Sequence, residues 1–318
     1  MAARKPAVLL GNGFSRAFAN EAFDYANLYE AAKFPDRLCE VFDSVGTRDF
    51  ELVMRRLDQA RAIMDHYDTP TNVKRAVTDD RKLVQRSLIQ ALQTHHPEGP
   101  WVLDNGPSER CAAFLRNFET IFTTNYDLLL YWVIAEHLIE GKEVDDGFRG
   151  YTQLTWRQAQ SDVDQNVFYL HGALHIWEDG ETVYKMASRR NRTLLNQLQD
   201  QLDKNRYPLF VSEGAWRQKR NRIRQSPYLS AAYAALSEND RPLVIYGLKL
   251  SPADKHIVDA IKDSYTTALV VTYWDGEKQS EIEKLETRAE TIGKHLATEL
   301  GRTVKVTMSK SSEVFSWT

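Results

Sequence analysis

Pro6-Ala7-Val8-Leu9-Leu10-Gly11-Asn12-Gly13-Phe14-Ser15 is a short apolar run closed by two glycines. Four consecutive apolar residues beside turn formers read as a buried strand. A helix-like run follows from Arg16. Strand, glycine turn and helix are the opening of a nucleotide-binding α/β unit. The glycines let the backbone approach a pyrophosphate, and the next helix turns its N-terminus toward the charge. The competing interpretation is a plain strand-to-helix turn, because Arg16 stands where the dinucleotide fingerprint has its third glycine. Arg16 itself is either a phosphate partner or a solvated side chain.

Outward from this stretch, further apolar runs end in polar or glycine clusters. Thr120–Thr123 leads to Thr124-Asn125-Tyr126-Asp127, and Val167–Leu170 to His171-Gly172. Leu209–Val211 leads to Ser212-Glu213-Gly214, and Leu243–Tyr246 to Gly247. Ala268–Thr272 and Val304–Thr307 are the last strands, with a charged helix between them. Helices mostly follow the strands, and one begins at Pro252-Ala253-Asp254 and runs to about Ser264. The alternation predicts an α/β fold with a Rossmann-like parallel sheet and helices on both faces. Ile176-Trp177 and Val183-Tyr184 read as a hairpin around the Asp179-Gly180 turn.

Residues 28–117 break the pattern. Phe50, Val53, Leu57, Ala60 and Met64 recur at helical spacing. Thr78-Asp79-Asp80 reads as the cap of a second helix carrying Val84, Leu88 and Leu92, and Pro107-Ser108 as the start of a third. The block is a helical insertion or subdomain within an α/β domain made of residues 1–27 and 118–318.

Composition narrows the function classes. Hydrophobic residues are 42% of the 318 and charged residues 27%, which places the chain among globular proteins. A net charge of −3 argues against a general nucleic-acid binder. Two cysteines, Cys39 and Cys111, cannot make a four-thiolate zinc site or a disulfide framework, so no metal and a cytoplasmic location are expected. Leu128–Ala135 is too short to span a bilayer and residues 7–10 are too few for a signal-peptide core, so no membrane partner is expected.

The strand-end clusters hold the candidate chemistry, because ligands bind at the carboxyl ends of such sheets. The Asn125 amide can hold a ribose hydroxyl or a water, while Asp127 caps the following helix. His171 next to a glycine suits a general base near neutral pH. His171 and His175 splay on a strand, so a metal pair is not expected, and His175 reads as a packed or edge residue. Asp254 is a helix cap or lines a ligand. Arg217, Lys219, Arg220, Arg222 and Arg224 read as a solvated helix face.

In order, Gly11-Asn12-Gly13-Phe14-Ser15, Thr123-Thr124-Asn125-Tyr126-Asp127, Leu170-His171-Gly172, Ser212-Glu213-Gly214 and Ile245-Tyr246-Gly247 resemble the sirtuin superfamily. Its members carry Gly-Ala-Gly-x-Ser, Thr-Gln-Asn-x-Asp, His-Gly, Phe-Gly-Glu and Gly-Thr-Ser over a Rossmann-like sheet. The resemblance runs from residue 6 to about 274, and its two specific motifs are those around Asn125 and His171. It implies that Gly11, Asn12, Gly13 and Ser15 line the diphosphate and ribose of NAD. Asn125 and Asp127 would face the nicotinamide ribose, His171 would be the base, and Gly247 would sit beside the adenosine. Residues 173–208 lack the cysteines of the deacylases' zinc module, and Leu248-Lys249 replaces Thr-Ser. The zinc-less pattern is similar to bacterial sirtuin-like proteins of uncharacterised or phage-defence type, which hydrolyse NAD. The expectation is an NAD glycohydrolase, with NAD as substrate and a second copy or a defence protein as partner. A non-catalytic NAD or ADP-ribose sensor is the alternative, and an NAD-dependent protein deacylase the third. The helices of residues 28–117 and the aromatic end at Phe315 and Trp317 serve either assembly or packing.

Overall fold

A computed structural model describes residues 4–18, 28–48, 50–95, 105–138, 143–150, 153–157, 165–187, 193–204, 208–211 and 216–317, with the single positions 99, 101, 103 and 206. The chain opens with β1 (Ala7–Leu10) and α1 (Asn12–Phe18). Five helices follow: α2 (Leu28–Ala32), α3 (Asp36–Val45), α4 (Phe50–Met64), α5 (Thr71–His95) and α6 (Asn105–Leu115). Then come β2 (Thr120–Thr123), α7 (Leu129–His137), β3 (Val144–Asp145), β4 (Phe148–Arg149), β5 (Leu154–Trp156) and β6 (Gln165–Tyr169). The middle of the chain continues with β7 (Gly172–Asp179), β8 (Thr182–Lys185), α8 (Leu194–Asp203), β9 (Pro208–Phe210), α9 (Trp216–Gln225) and α10 (Pro227–Ser237). The last part holds β10 (Leu243–Tyr246), α11 (Lys255–Lys262), β11 (Ala268–Tyr273), α12 (Gln279–Leu300), β12 (Lys305–Lys310) and α13 (Ser311–Val314).

Seven strands form one sheet in the order β12-β11-β10-β1-β2-β6-β3, and every pairing in it is parallel. Alternating side chains divide its faces between two cores, as period-two geometry requires. Val8 and Leu10 join one core with Leu38, Phe42, Val53 and Val84 of the helical block. Ala7 and Leu9 join the other with Ala232, Ile257, Ala260, Leu285 and Ile292 of α10, α11 and α12. The expected α/β sheet with helices on both faces is therefore present, and the helical insertion shares a continuous core with one face.

The chain runs from β1 outward to β2 on one side and returns with β10 on the other. The switch point lies between β1 and β10, where open α/β sheets form a ligand crevice. Register brings the strand ends level: Leu10 pairs with Thr123 and Tyr246, and Thr123 pairs with Tyr169. The polar clusters therefore leave the sheet along one edge.

Several sequence expectations change. α1 starts at Asn12, not at Arg16, so the glycine turn is its first turn. Thr78-Asp79-Asp80 is not a helix start but lies inside the 25-residue α5. Thr78 Oγ1 donates back to Lys74 O at 3.0 Å, and Asp80 pairs with Arg37, so both side chains are satisfied without capping. The side chains of Leu88 and Leu92 lie outside those described. The Leu209 run does not extend the parallel sheet. Its strand, β9, pairs antiparallel with β7 in a second sheet ordered β4-β5-β8-β7-β9. A short apolar run shows burial but not its partner. The β7–β8 hairpin is antiparallel as expected, with Gly180 in the left-handed region (φ 62°) at its turn. Among the described residues, no helix is long and apolar enough to cross a membrane.

Candidate functional site

Three glycines meet at the switch point. Gly11 N–H donates to Tyr246 O at 2.8 Å, and Gly13 N–H donates to Gly247 O at 2.9 Å. Gly247 has φ 69°, and a Cβ there would lie 2.7 Å from Gly13 Cα. A Cβ on Gly13 would in turn lie 2.7 Å from Gly247 Cα. The glycines thus allow direct backbone contact between the ends of β1 and β10. This contact uses the Gly13 N–H, so that group is no free phosphate donor. Asn12 is exposed on the first turn of α1, and the buried Leu248 packs against Gly11.

A buried polar network ties the glycine turn to the end of β2. Asn125 Nδ2 donates to Gly11 O at 3.0 Å and to Ser15 Oγ at 2.9 Å. Ser15 Oγ donates to Asp127 Oδ2 at 2.7 Å, and Leu129 N–H donates to Asp127 Oδ1 at 2.9 Å. Both amide hydrogens of Asn125 are committed, so toward a ligand the group acts as an acceptor through Oδ1. Asp127 combines the expected cap with a structural bond to Ser15. Burial lifts its carboxyl pKa to about 6, against the hydrogen bonds from Ser15, the Leu129 backbone and its own backbone that favour its charge.

His171 lies on the adjacent strand end. Leu170 N–H donates to Thr123 O at 2.8 Å, and Val211 N–H to His171 O at 2.8 Å, so its backbone is held between the two sheets. Gly172 follows with φ 70°, and a Cβ on it would meet Leu209 O at 1.9 Å. Only glycine fits this corner, which turns the chain from β6 into β7. The His171 Nε2 atom lies 2.8 Å from His256 Nε2. His256 is fully buried on α11, and its backbone carbonyl accepts from Tyr233 OH at 2.9 Å. Burial, then His256, then Lys219 push the His171 pKa well below its ordinary value, while the Thr124 backbone favours the proton. Burial and Lys219 likewise lower His256, to about 4.

The structure therefore gathers Gly11, Gly13, Ser15, Asn125, Asp127, His171 and Gly247 along one sheet edge. His256 and Lys219 join them without having been singled out as site residues. A histidine in the first turn of the helix after a strand-end glycine was the available signal for His256. Lys219 corrects the solvated-face reading of residues 217–224: Arg217 and Arg224 are exposed, but Lys219 is buried. Arg222 pairs with Glu178 at 2.8 Å. Ile223 occupies the core on the same helix, so the face turned to the protein carries both apolar and basic residues.

His175 does not join the site. It is buried against the rings of Tyr131 and Tyr169, and neither of its ring nitrogens has a hydrogen-bond partner among the described residues. Asp254 closes a capping box, accepting from Ser251 N–H at 3.1 Å and Ser251 Oγ at 2.8 Å. Ser212, Glu213 and Gly214 lie outside the described residues. No group of three metal-ligating side chains occurs among the described residues. An open groove of about 630 Å³, lined by Gly293, Lys294, Arg302 and Val306, lies at the amino end of β12, opposite the polar edge.

A family model described as "Domain of unknown function (DUF4917)" matches residues 8–313, nearly the whole chain, and the chain belongs to that family. No curated protein matches it.

Proposed function

We propose that this member of the DUF4917 family binds NAD across the β1–β10 switch point and hydrolyses its nicotinamide–ribose bond. One observation carries the proposal: Asn125 and His171 each lie two residues beyond the paired Thr123 and Tyr169, on adjacent strand ends beside the glycine contact. The sequence resemblance to zinc-less sirtuin-like proteins suggests the same two residues for this chemistry.

In the proposed arrangement the diphosphate lies beside the turn formed by Gly11 to Gly13 and by Gly247, next to the exposed Asn12 at the start of α1. Asn125 Oδ1 accepts from a ribose hydroxyl or from the attacking water. The C1′–N bond to nicotinamide breaks, and its electron pair leaves with the pyridine, which departs neutral. The ribose passes through an oxocarbenium-like state. Water oxygen bonds to C1′, and His171 takes the water's proton, so the products are ADP-ribose, nicotinamide and one proton. A depressed pKa keeps His171 uncharged at neutral pH, the state in which a base must start.

Nicotinamide release from NAD, followed over a series of protein concentrations, tests the proposal. His171→Ala should lower turnover by roughly a hundred- to ten-thousand-fold. Unchanged release by that variant would refute the assignment. Tight NAD binding by calorimetry with no release at any concentration would favour a non-catalytic NAD sensor.

A further inference from the structure

A dinucleotide that crosses the β1–β10 switch point has two ends, and Asn125 and His171 stand on one side of it. They follow β2 and β6, whereas β10 and β11 continue the sheet on the other side. Trp274 is the first residue after β11, at the carboxyl edge that carries the polar clusters. Its side chain is 66% exposed, although tryptophan is highly buried on average. The other exposed large apolar side chains among the described residues stand elsewhere: in the helical block or, as with Tyr265, at the amino end of β11. Four strand intervals separate β6 from β11, about 19 Å, which an extended dinucleotide can span.

The turn that carries Trp274 is firmly anchored. A Cβ on Gly276 would lie 2.5 Å from Trp274 Cη2, so the indole is seated against a residue with no side chain. Glu277 N–H donates to Trp274 O at 3.0 Å and closes the turn. The Asp275 carboxylate accepts from Ser311 Oγ at 3.0 Å and from Ser312 N–H at 3.3 Å. Lys249 Nζ pairs with Glu277 at 3.0 Å, and Gly247 N–H donates to Thr272 Oγ1 at 3.1 Å. The turn is therefore tied to the segment that follows the glycine contact. With both of its carboxylates engaged, what the turn adds to the polar edge is a flat apolar ring.

We propose that Trp274 is the platform on which the adenine base of the dinucleotide stacks. Adenine is a planar, uncharged π-system, and stacking on an aromatic side chain holds it without hydrogen-bond readout. A ring fixed before binding loses little freedom when the base settles on it. With adenine beside β11 and the nicotinamide ribose at Asn125 and His171, the diphosphate falls between them, at the glycine turn. This placement rests on the NAD reading above and adds to it the residue that recognises the adenosine half.

Calorimetric titration of the full chain with ADP-ribose tests the platform without requiring turnover. Trp274 is exposed, so Trp274→Ala and Trp274→Phe should keep the thermal melt of wild type. Trp274→Ala should weaken ADP-ribose about tenfold or more, and Trp274→Phe, which still offers a ring, less than about threefold. Equal affinity in wild type and Trp274→Ala, or no binding by wild type, would overturn the proposal. Nicotinamide release supplies the second readout. Trp274→Ala should raise KM for NAD about tenfold, with KM for nicotinamide mononucleotide, which lacks the adenosine, changed less than about threefold. The same rise for both substrates would also overturn it, because a platform for adenine cannot act on a substrate without one. If wild type binds ADP-ribose but releases no nicotinamide, the hydrolysis proposed above fails, and the ADP-ribose affinities alone decide the role of Trp274.

Discussion

Ser15 is the residue on which the buried network turns. Its hydroxyl accepts from Asn125 and donates to Asp127, and its side chain has no contact with solvent. Ser15→Ala leaves an amide hydrogen and a buried carboxylate oxygen without partners, so it should cost about 1–3 kcal/mol in urea unfolding. The buried histidines set a pH dependence. His171, His175 and His256 all have folded pKa values below the ordinary 6.5. The unfolded chain takes up their protons first, so their contribution is complete above pH 6.5 and is lost as pH falls toward the folded values. Each contributes a slope of up to about 1.4 kcal/mol per pH unit. Asp127 acts in the opposite sense, because its raised pKa makes the folded state the better proton binder between roughly pH 4 and 6. Stability measured by denaturant from pH 7 to 5 should therefore fall. His175→Phe should flatten that fall by about one proton without loss of stability at pH 7, because it removes two unpartnered buried nitrogens. A slope in the variant equal to wild type would contradict this account.

The elements meet the glycines on unequal terms. Gly301 ends α12 with φ 62°, but nothing lies within 4 Å of the Cβ it would carry. Gly247 has a similar φ, yet its Cβ would meet Gly13 Cα and Phe14 N at 2.7 Å. Gly301→Ala should therefore cost only left-handed strain, about 1–2 kcal/mol. Gly247→Ala adds overpacking of typically 1–3 kcal/mol and pushes β10 away from α1. Guanidinium unfolding of the two variants compares these costs directly, and equal losses would mean that the glycine contact is not tight in solution.

The whole molecule is closed by its far end. Trp317 Nε1–H donates to Phe14 O at 3.0 Å, and its ring lies 5.1 Å from that of Phe14 and 4.9 Å from that of Phe18. Arg110 Nη2 holds the Trp317 carbonyl at 2.5 Å, and Tyr246 OH donates to Phe315 O at 3.0 Å. The aromatic end of the chain thus packs under α1, the helix that starts at the glycine turn. Trp317→Ala should cost about 3–5 kcal/mol. Hydrogen exchange should then show α1 amides opening ahead of those in β10 and β11, and uniform exchange across the three elements would exclude a local role for this packing.

Period and punctuation in the sequence determined the strands of the parallel sheet apart from the two-residue β3, their polar ends and the helical block, because alternation and turn chemistry are local properties. Asn125 and His171 were legible for the same reason: each follows an apolar run at a strand end. Several features were decided only by tertiary structure. The Leu209 run belongs to a second sheet, because burial in a short run does not encode its partner. Thr78 sits inside a helix, because back-bonding to Lys74 competes with capping. The glycine turn is packed against Gly247, a residue more than two hundred positions away, so its main-chain donor was unreadable from Gly11-Asn12-Gly13 alone. His256 meets His171 from α11, and the charge of Lys219 acts on both rings from α9; no local pattern records a contact or a field that exists only after those helices dock on the sheet.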